Sequence, residues 1–554
     1  MIRYRHPSTT GRRPVVRVAL VMLAVPSVAL APVGVAGASA DATAAAAAAP
    51  VVVPARHPDI QYLGRWGRLA DAMTTVNSGS RVILRFTGRH ITATFDQSTV
   101  THPPQIYARV DRGASTLYTV DRNQLDLTPR SLTGGGVHTL EIAVKDVDER
   151  ANRWNPPLQS GLLLTGFRLD RGARTVPPPA PSNRRIEFLG DSITQGVRAL
   201  GPEIGVRGSD ATKGYPWLTG QALRANFRPV GFGAQGILRP GGGQVPPAAQ
   251  TLRFNFAGSP IDPSFVPQAV VVNQGTNDGL AQVDPVLFQN AYLDYLRQIR
   301  GVWPSAWIFA VRPFGGYFAR EIAAAVAATG DRRVSYVDTT GWFPATAYED
   351  GIHPTYAGHR SAARRLLPLV AARLGWSYTP IANPRVEVLA AGAAPGFESA
   401  TAPGWVAGAY VSGVATGAAG GSAAPPYDGT SALQVTSTVA PLGEWRTVSL
   451  RPGYRLRLPS AARDLFLYVS PNIPANAVYG LRLTVTQGRH TVTDEAYGLP
   501  HIAAFLPWNR LHVNLPGTGP VTGISVSVRM EGTADSGRLS FQVDDVGWTD
   551  IRDG

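Results

Sequence analysis

Short runs in which apolar and polar residues alternate fill the chain from about residue 55 to 176. Examples are Arg81–Phe86, His90–Phe95, Gln105–Val110 and His138–Val144, and Gly, Asp and Asn residues separate them. A period of two is typical of strands with one buried face, and many short strands joined by turns favour a β-sandwich. The proline-rich stretch 177–181 cannot continue a sheet, so it predicts a stiff connector.

The pattern changes between about residues 184 and 378, where apolar strand runs alternate with amphipathic helical stretches. The strand runs are Arg185–Leu189, Ala269–Asn273, Trp307–Val311 and Val334–Asp338, and the helical stretches are Pro285–Ile299, Phe318–Ala328 and Tyr356–Leu374. This alternation predicts a parallel sheet with helices on both faces, because a parallel crossover needs about a dozen residues. Functional residues are then expected at the carboxyl ends of the strands.

Strand runs without a helical period return from about residue 384. They are Tyr454–Leu458, Leu465–Val469, Leu481–Val485 and Ile524–Val528, with Gly and Pro between them. A second β-sandwich of the jelly-roll kind is predicted. The predicted fold class is therefore α/β, with a central flavodoxin-like parallel sheet (184–378) flanked by an N-terminal β-sandwich (55–176) and a C-terminal β-sandwich (384–554).

The first 40 residues have the three parts of an export signal. Five arginines accompany the apolar run Val18–Ala31, and Ala38–Ala40 has the A-x-A form of a cleavage site. We expect a signal peptide at 1–40, an Ala-rich tether at 41–54 and a secreted protein, while an uncleaved anchor is the alternative. The pair Arg12–Arg13 leaves Sec and twin-arginine export both open. No later apolar run approaches the roughly 20 residues that span a bilayer, so no integral membrane segment is expected in the mature chain.

Composition narrows the remaining classes of partner. Removing the five leader arginines lowers the formal charge from +14 to +9, which suits attraction to acidic polymers. No cluster alternates basic and aromatic residues, so we expect no nucleic-acid partner. The chain has no cysteine, which excludes disulfides and thiolate chemistry. We expect a monomer.

The segment Ile186–Gly196 predicts a strand, a glycine turn and the start of a helix. This order would place Ser192 at the carboxyl end of a strand, where a backbone N–H can stabilise an oxyanion. Gly-Asp-Ser before a helix suits an N-cap equally well. The G-x-S-x-G elbow of α/β-hydrolases is absent, because Thr194 occupies its last position. Ser192 is a candidate nucleophile whose case depends on its partners.

A base and a carboxylate occur together in Asp350-Gly-Ile-His353. Serine needs a base to take its proton, and histidine needs a carboxylate to fix its tautomer. The spacing lets Asp350 reach one ring nitrogen of His353 while the other nitrogen faces Ser192. Taken alone, Asp-Gly is an ordinary turn and a loop histidine is usually a surface residue. A metal site of His353 with His359 is disfavoured, because the spacing is wrong for a helix and no further ligands converge.

Two further segments supply candidate oxyanion donors. Asn277 follows an apolar strand run and its amide can donate, although Gly-Thr-Asn-Asp is also a common turn. Gly231–Gly236 formally matches G-x-G-x-x-G, but Pro240 and the glycines after it prevent the helix that would bind a pyrophosphate. This loop is instead expected to expose backbone N–H donors. The N–H of Gly236 is the first candidate for the oxyanion donor, and the N–H of Gly233 is the alternative.

Taken in chain order, the segments that contain Ser192, Gly236, Asn277 and Asp350–His353 resemble the four blocks of the SGNH, or GDSL-type, hydrolase superfamily. The resemblance covers about residues 184–378. It implies that Ser192, Asp350 and His353 are a catalytic triad and that acyl transfer passes through an acyl-serine. It also implies an oxyanion hole formed by the Ser192 N–H, the Gly236 N–H and the Asn277 side chain. We expect no cofactor and no metal.

The region before the serine block resembles the N-terminal domain of carbohydrate esterase family 2. The motifs are Tyr62–Trp66, Leu84–Gly88, Val110–Gly113 and Gly136–Leu140, followed by the proline linker. This resemblance implies an esterase that removes O-acetyl groups from polysaccharides such as xylan and mannan. Some members lack the acid of the triad, whereas Asp350 is present here. The run Phe541–Gly547 resembles the last strand of jelly-roll carbohydrate-binding modules.

Two other functions stay open at this point. One is an SGNH lipase, thioesterase or acyltransferase that acts on longer acyl chains or cell-envelope glycans. The other is a noncatalytic glycan-binding protein. Trp217 and Trp342 are candidates for stacking on a sugar ring, with a place in the core as the alternative. The polysaccharide, the acyl group and the hydroxyl position are not predicted, because they depend on the shape of the pocket.

Overall fold

The computed structural model describes residues 49–389 except 134 and 204, and then 404–417, 431–440, 443–473, 477–500, 507–531 and 539–552. The predicted signal peptide and residues 41–48 of the predicted tether lie outside these ranges. The residues from Ala49 onward belong to one unit by their contacts. In the part of the chain that the structure describes, no helix is both long enough and apolar enough to cross a membrane.

The N-terminal part consists of strands. They are β1 (Val51–Pro54), β2 (Ile60–Leu63), β3 (Gly67–Leu69), β4 (Ala72–Thr75), β5 (Arg81–Thr87), β6 (Ile91–Phe95), β7 (Gln105–Val110), β8 (Thr116–Thr119), β9 (Gln124–Asp126), β10 (Val137–Asp146), β11 (Leu162–Leu169) and β12 (Thr175–Val176). One sheet has the order β3-β4-β11-β6-β9 with β1 on β11, and the other has the order β12-β5-β10-β7-β8 with β2 on β5.

The two N-terminal sheets share one apolar core, which includes Phe86, Ile142 and Phe167. The runs predicted as strands from their period of two are confirmed as β5, β6, β7 and β10. The tether prediction is wrong for residues 51–54, because this segment pairs with β11 and buries Val53 in the core. A short apolar run next to an open sheet edge forms a strand even when an alanine-rich stretch precedes it.

The central part alternates strands and helices. They are β13 (Arg185–Gly190), α1 (Ser192–Gln195), α2 (Tyr215–Ala222), β14 (Asn226–Gly231), α3 (Ala248–Thr251), β15 (Phe254–Phe256), β16 (Ser259–Pro260), β17 (Ala269–Asn273), α4 (Thr276–Leu280), α5 (Pro285–Val302), β18 (Trp307–Val311), α6 (Ala319–Ala328), β19 (Val334–Val337) and α7 (Tyr356–Leu374). The main sheet has the order β14-β13-β17-β18-β19, and every neighbouring pair is parallel.

Helices cover both faces of this parallel sheet, as the alternation of strands and helices predicts. Along β17, Val270 and Val272 pack in the cluster that contains residues of α5 and α6. Ala269 and Val271 pack in the cluster that contains residues of α2 and α7. The sequence prediction did not include β14, which contains Pro229. This strand lies at the sheet edge, where the missing N–H of proline is tolerated.

The C-terminal part returns to strands. They are β20 (Val386–Val388), β21 (Trp405–Ala407), β22 (Val411–Gly417), β23 (Ala432–Ser437), β24 (Arg446–Leu450), β25 (Asp464–Asn472), β26 (Val478–Gln487), β27 (His490–Pro500), β28 (Asn509–Asn514), β29 (Val521–Glu531) and β30 (Ser540–Thr549). One sheet has the order β22-β23-β30-β25-β28 with β20 on β30, and the other has the order β21-β24-β29-β26-β27.

Both C-terminal sheets bury their inner faces in one apolar core, which includes Leu467, Leu483 and Trp548. The strand predicted at Tyr454–Leu458 is wrong, because in that segment only Leu456 forms a bridge, with Val521. Its alternating pattern is explained by a single buried leucine, whereas the four other residues of the segment are not fully buried.

Two buried polar links join the N-terminal sheets to the central sheet. Arg65 donates to Glu187 of β13 at 2.7 Å, and neither side chain has exposed area. At the second link, Gln195 of α1 donates to Asp146 Oδ1 at 2.8 Å and accepts from Arg153 Nη2 at 2.9 Å. Because buried charges are costly without partners, these contacts fix the N-terminal sheets against the segments on either side of residue 192.

Gln195→Ala is expected to lower the free energy of unfolding by about 2–4 kcal/mol, because Asp146 and Arg153 each lose a buried partner. Urea denaturation followed by tryptophan fluorescence measures the change. Gln221→Ala, at an exposed position of α2, is the control and should cost about 0.5 kcal/mol or less. Equal stability of the two variants would show that the second link contributes nothing.

Candidate active site

Ser192 is the first residue of α1, directly beyond the carboxyl end of β13. Gly190 pairs with Gly231 on one side and with Asn273 on the other, so the ends of three strands meet here. A Cβ on Gly190 would lie 2.0 Å from Thr194 Oγ1, which explains the glycine at this tight turn. Asp191 caps α1 by accepting the Ile193 N–H at 2.9 Å, so the N-cap is the residue before Ser192.

The structure brings Ser192, His353 and Asp350 together. Ser192 Oγ lies 2.9 Å from His353 Nε2, and His353 Nδ1 lies 2.7 Å from Asp350 Oδ2. The second carboxylate oxygen of Asp350 accepts the backbone N–H groups of Ile352 at 2.9 Å and of His353 at 2.8 Å. The turn therefore folds around the carboxylate, which is why a spacing of three residues brings the ring to it.

Arg198 is a fourth member of this group, and sequence reasoning did not find it. Its Nη1 donates to Asp350 Oδ2 at 2.6 Å, and the side chain is almost fully buried. Burial alone would raise the pKa of Asp350, but the charges of His353 and Arg198 hold that pKa well below its usual range. Asp350 is therefore ionised at neutral pH. A lone arginine in a loop gave no local signal of this contact.

The environment of His353 favours a strong base. Burial acts to lower the pKa of His353, but the charge and hydrogen bond of Asp350 outweigh burial and raise the pKa above its ordinary value. Arg198 opposes this effect, and Glu149 from the N-terminal part adds to it. With Nδ1–H donated to ionised Asp350, the neutral ring presents the lone pair of Nε2 to Ser192.

His359 has a packing role in the structure. Burial lowers the pKa of His359 to about 3. Its ring stacks on Tyr215, and its Nδ1 accepts the Tyr215 N–H at 3.2 Å. Over the described ranges, no group of three or more His, Cys, Asp or Glu residues is arranged to hold a metal ion.

Asn277 and the loop that contains Gly236 lie side by side, beyond the ends of β17 and β14. Asp278 accepts the Ile237 N–H at 2.8 Å, and Asn277 Nδ2 donates to the Gln235 carbonyl at 2.9 Å. A Cβ on Gly236 would lie 2.4 Å from Asp278 Oδ2, so this close approach requires glycine. The two segments predicted to supply oxyanion donors are therefore held against each other.

The N–H groups of both candidate glycines already have acceptors. Gly236 donates to the Arg239 carbonyl at 3.0 Å, and Gly233 donates to Gln195 Oε1 at 3.2 Å. The Ser192 N–H, at the first position of α1, has no acceptor within the helix. Asn277 has a second amide hydrogen besides the one that it donates. An oxyanion at Gly236 would have to share an N–H with the Arg239 carbonyl.

The two tryptophans considered for sugar stacking occupy different surroundings. Trp342 is buried in the core against Phe314, so the sugar-stacking role is wrong for this residue and the alternative, a place in the core, is confirmed. Trp217 packs edge-on against Phe227. It also lines a surface pocket of about 520 Å³ whose lining residues include neither Ser192 nor His353.

Comparison with known proteins identifies the domain that contains these residues. Residues 188–361 match the GDSL-like lipase/acylhydrolase family. The chain therefore contains a GDSL/SGNH lipase-acylhydrolase domain. Membership of this domain in an acylhydrolase family supports the prediction that the chain hydrolyses carboxylic esters.

Homologues and structural neighbours of the chain are family 2 carbohydrate esterases. The acetylxylan esterase/glucomannan deacetylase of Cellvibrio japonicus is 24% identical over 351 residues, which cover 58% of this chain and 91% of that protein. The cellulase/esterase CelE of Acetivibrio thermocellus is 28% identical over 229 residues, and the chain spans only 28% of its length. A family two carbohydrate esterase from Clostridium thermocellum, solved with cellohexaose, is 25% identical with a TM-score of 0.50, covering 57% of this chain and 99% of that one.

Arg198→Met is expected to move the acid limb of the pH–rate profile for ester hydrolysis to higher pH. His353 must be neutral to act as a base, so kcat/KM falls as the pH drops through its pKa. Because the charge of Arg198 acts to lower that pKa, its removal raises the pKa further. Hydrolysis of 4-nitrophenyl acetate from mildly acidic to mildly basic pH measures the limb. Arg207→Met, at an exposed position of the same loop, is the control. If the acid limb of Arg198→Met stays in place, Arg198 does not act on the pKa of the group that controls the rate.

Proposed function

We propose that this chain is a secreted serine esterase that removes O-acetyl groups from a polysaccharide. The observation that carries the proposal is the hydrogen-bonded chain from Ser192 through His353 to buried Asp350, inside the segment that matches the GDSL-like family. The acetyl and polysaccharide parts are supported by relatives named as an acetylxylan esterase/glucomannan deacetylase and as a carbohydrate esterase solved with cellohexaose.

In the proposed first step, His353 Nε2 takes the proton of Ser192 as its Oγ attacks the ester carbonyl. Asp350 holds the Nδ1–H and stabilises the imidazolium that forms. The tetrahedral oxyanion would accept hydrogen bonds from the Ser192 N–H, the Gly236 N–H and the second amide hydrogen of Asn277. The intermediate then collapses: the bond to the sugar oxygen breaks, His353 gives its proton to that oxygen to form the sugar hydroxyl, and an acyl-serine remains.

In the proposed second step, His353 takes a proton from water, and the resulting hydroxide attacks the acyl-serine. Collapse of the second tetrahedral intermediate returns the proton to Ser192 Oγ and releases acetate. Each step uses the same histidine, first as a base and then as an acid. The proposed chemistry needs no cofactor or metal ion. The leader pattern of residues 1–40 supports a site of action outside the cell.

Ser192→Ala is expected to abolish the release of acetate from acetylated xylan and glucomannan, because no acyl-serine can form, while binding of the polysaccharide persists. Mass spectrometry of the released acids measures activity, and affinity electrophoresis measures binding. Ser305→Ala, at an exposed position, is the control and should keep full activity. Unchanged turnover in Ser192→Ala would sink the assignment of the nucleophile. Faster release of long-chain acids than of acetate would overturn the deacetylase proposal in favour of a lipase-type activity.

Asn277→Ala is expected to lower kcat by about 10²–10³ with little change in KM, which is the loss typical of one oxyanion donor. The amide contributes mainly in the transition state, so substrate binding should be less affected. Steady-state kinetics on 4-nitrophenyl acetate check this split. Asn290→Ala, exposed on α5, is the matched control. A rise in KM at constant kcat would mean that Asn277 binds substrate instead.

A further inference from the structure

A single strand of the C-terminal part contacts two loops next to the candidate active site. β28 carries Arg510 and His512, whose side chains lie on the same face because they are two residues apart. Arg510 contacts the loop that contains Asp350, and His512 contacts the loop that contains Arg198. The first contact is a group of hydrogen bonds, and the second is one hydrogen bond from a buried histidine.

The contact with the Asp350 loop is buried. The Arg510 backbone N–H donates to the Glu349 carbonyl at 2.9 Å, and its Nη1 lies 3.4 Å from Glu349 Oε1. Both side chains have at most 2% of their area exposed. Tyr468 of β25 adds a hydroxyl that donates to the Tyr348 carbonyl at 2.7 Å. These bonds fix the two residues immediately before Asp350.

The contact with the Arg198 loop is made by a charged histidine. His512 Nε2 donates to the Leu200 carbonyl at 2.8 Å, and Nδ1 donates to Asp464 Oδ2 at 2.9 Å. Only an imidazolium can donate from both nitrogens. Burial acts to lower the pKa of His512, but the charge of Asp464 raises the pKa to about 10. The cation therefore persists at neutral pH and holds the carbonyl two residues beyond Arg198.

The two loops converge on one ion pair. Arg198 Nη1 and Asp350 Oδ2 are 2.6 Å apart, and Asp350 is also the partner of His353. The C-terminal sheet thus holds the backbone next to both members of the pair. A movement of either loop would change the Arg198–Asp350 contact, and a movement of the Asp350 loop would also shift His353 relative to Ser192. Small misplacements in an active site are costly.

We infer that Tyr468, Arg510 and His512 are positioning residues for Asp350 and His353, and that the C-terminal sheet that contains β25 and β28 is therefore part of the hydrolytic machinery. These three residues act through backbone and loop contacts and have no contact with Ser192 or His353 among the described hydrogen bonds. This inference rests on the proposed function, because it assigns a role in the same reaction.

The first test is Tyr468→Phe, which removes the hydroxyl and keeps the buried ring. We expect kcat for 4-nitrophenyl acetate to fall by about tenfold with KM nearly unchanged. We also expect the acid limb of the pH–rate profile to move to lower pH, because a looser contact with Asp350 raises the pKa of His353 less. A role in stability alone would lower the melting temperature and leave both the profile and kcat unchanged.

The second test compares two substitutions at Arg510. Arg510→Met removes the charge beside Glu349 and should lower kcat at least as much as Tyr468→Phe. Arg510→Lys keeps a cation and a donor there and should recover most of the activity. Ser449→Ala is the matched control for Tyr468→Phe. It also removes one hydroxyl from the C-terminal part, and that hydroxyl bonds Ser525 at 2.9 Å in the other sheet. Circular dichroism and thermal unfolding check that each variant is folded.

The outcomes separate this inference from the proposed function. If Ser192→Ala is inactive while Tyr468→Phe and folded Arg510→Met keep wild-type kcat and the wild-type pH profile, the positioning role is wrong and the esterase proposal stands. If Ser192→Ala keeps wild-type activity, the proposed function fails, and the inference fails with it. If Tyr468→Phe loses activity with a shifted acid limb and Ser449→Ala does not, the positioning role is supported.

Discussion

The buried carboxylate of Asp350 is the constraint on which the arrangement of the site depends. Its side chain has no exposed area, so its charge must be balanced inside the protein. His353, Arg198 and two backbone N–H groups supply that balance, and they come from two separate loops. Removing one partner of a buried charge typically destabilises a protein by about 3–5 kcal/mol, so separation of these loops would be strongly destabilising. The balance of one charge therefore holds His353 and Arg198 together, next to the strand end that precedes Ser192.

Both flanking sets of sheets contact this group through polar links. On the N-terminal side, Asp146 and Arg153 hold Gln195, three residues after Ser192 on the same short helix. On the C-terminal side, Arg510 and His512 hold the loops of Asp350 and Arg198. The segments next to Ser192 and Asp350 are thus each held by a different flanking part of the chain. This division explains why the chain from Ala49 onward forms one unit by its contacts, although each set of sheets has its own apolar core.

Local patterns in the sequence predicted the strands and helices whose burial repeats with a clear period. The strand β17 and the helix α7 were predicted with the bounds that the structure has, since burial on both sheet faces and a long amphipathic period leave little ambiguity. The edge strand β14 was not predicted, because it contains Pro229 and proline is uncommon in strands. The order and spacing of Ser192, Asp350 and His353 made these residues candidates, and the structure brings them together. Arg198 and Arg510 were not candidates, because their contacts with Asp350 and Glu349 are made across 152 and 161 positions and leave no local pattern.

The links around Asp350 use hydrogen bonds and charge where apolar packing would often be more stabilising. An apolar contact tolerates small shifts, because dispersion attraction has no preferred direction and cores accept repacking. A bond from Tyr468 to a carbonyl, or from His512 to two acceptors, requires a particular orientation of the backbone that it holds. Directional contacts thus occur beside the loops that contain Asp350 and Arg198, whereas the C-terminal core behind them is apolar. This distribution of polar and apolar contacts is the one that the proposed positioning role requires.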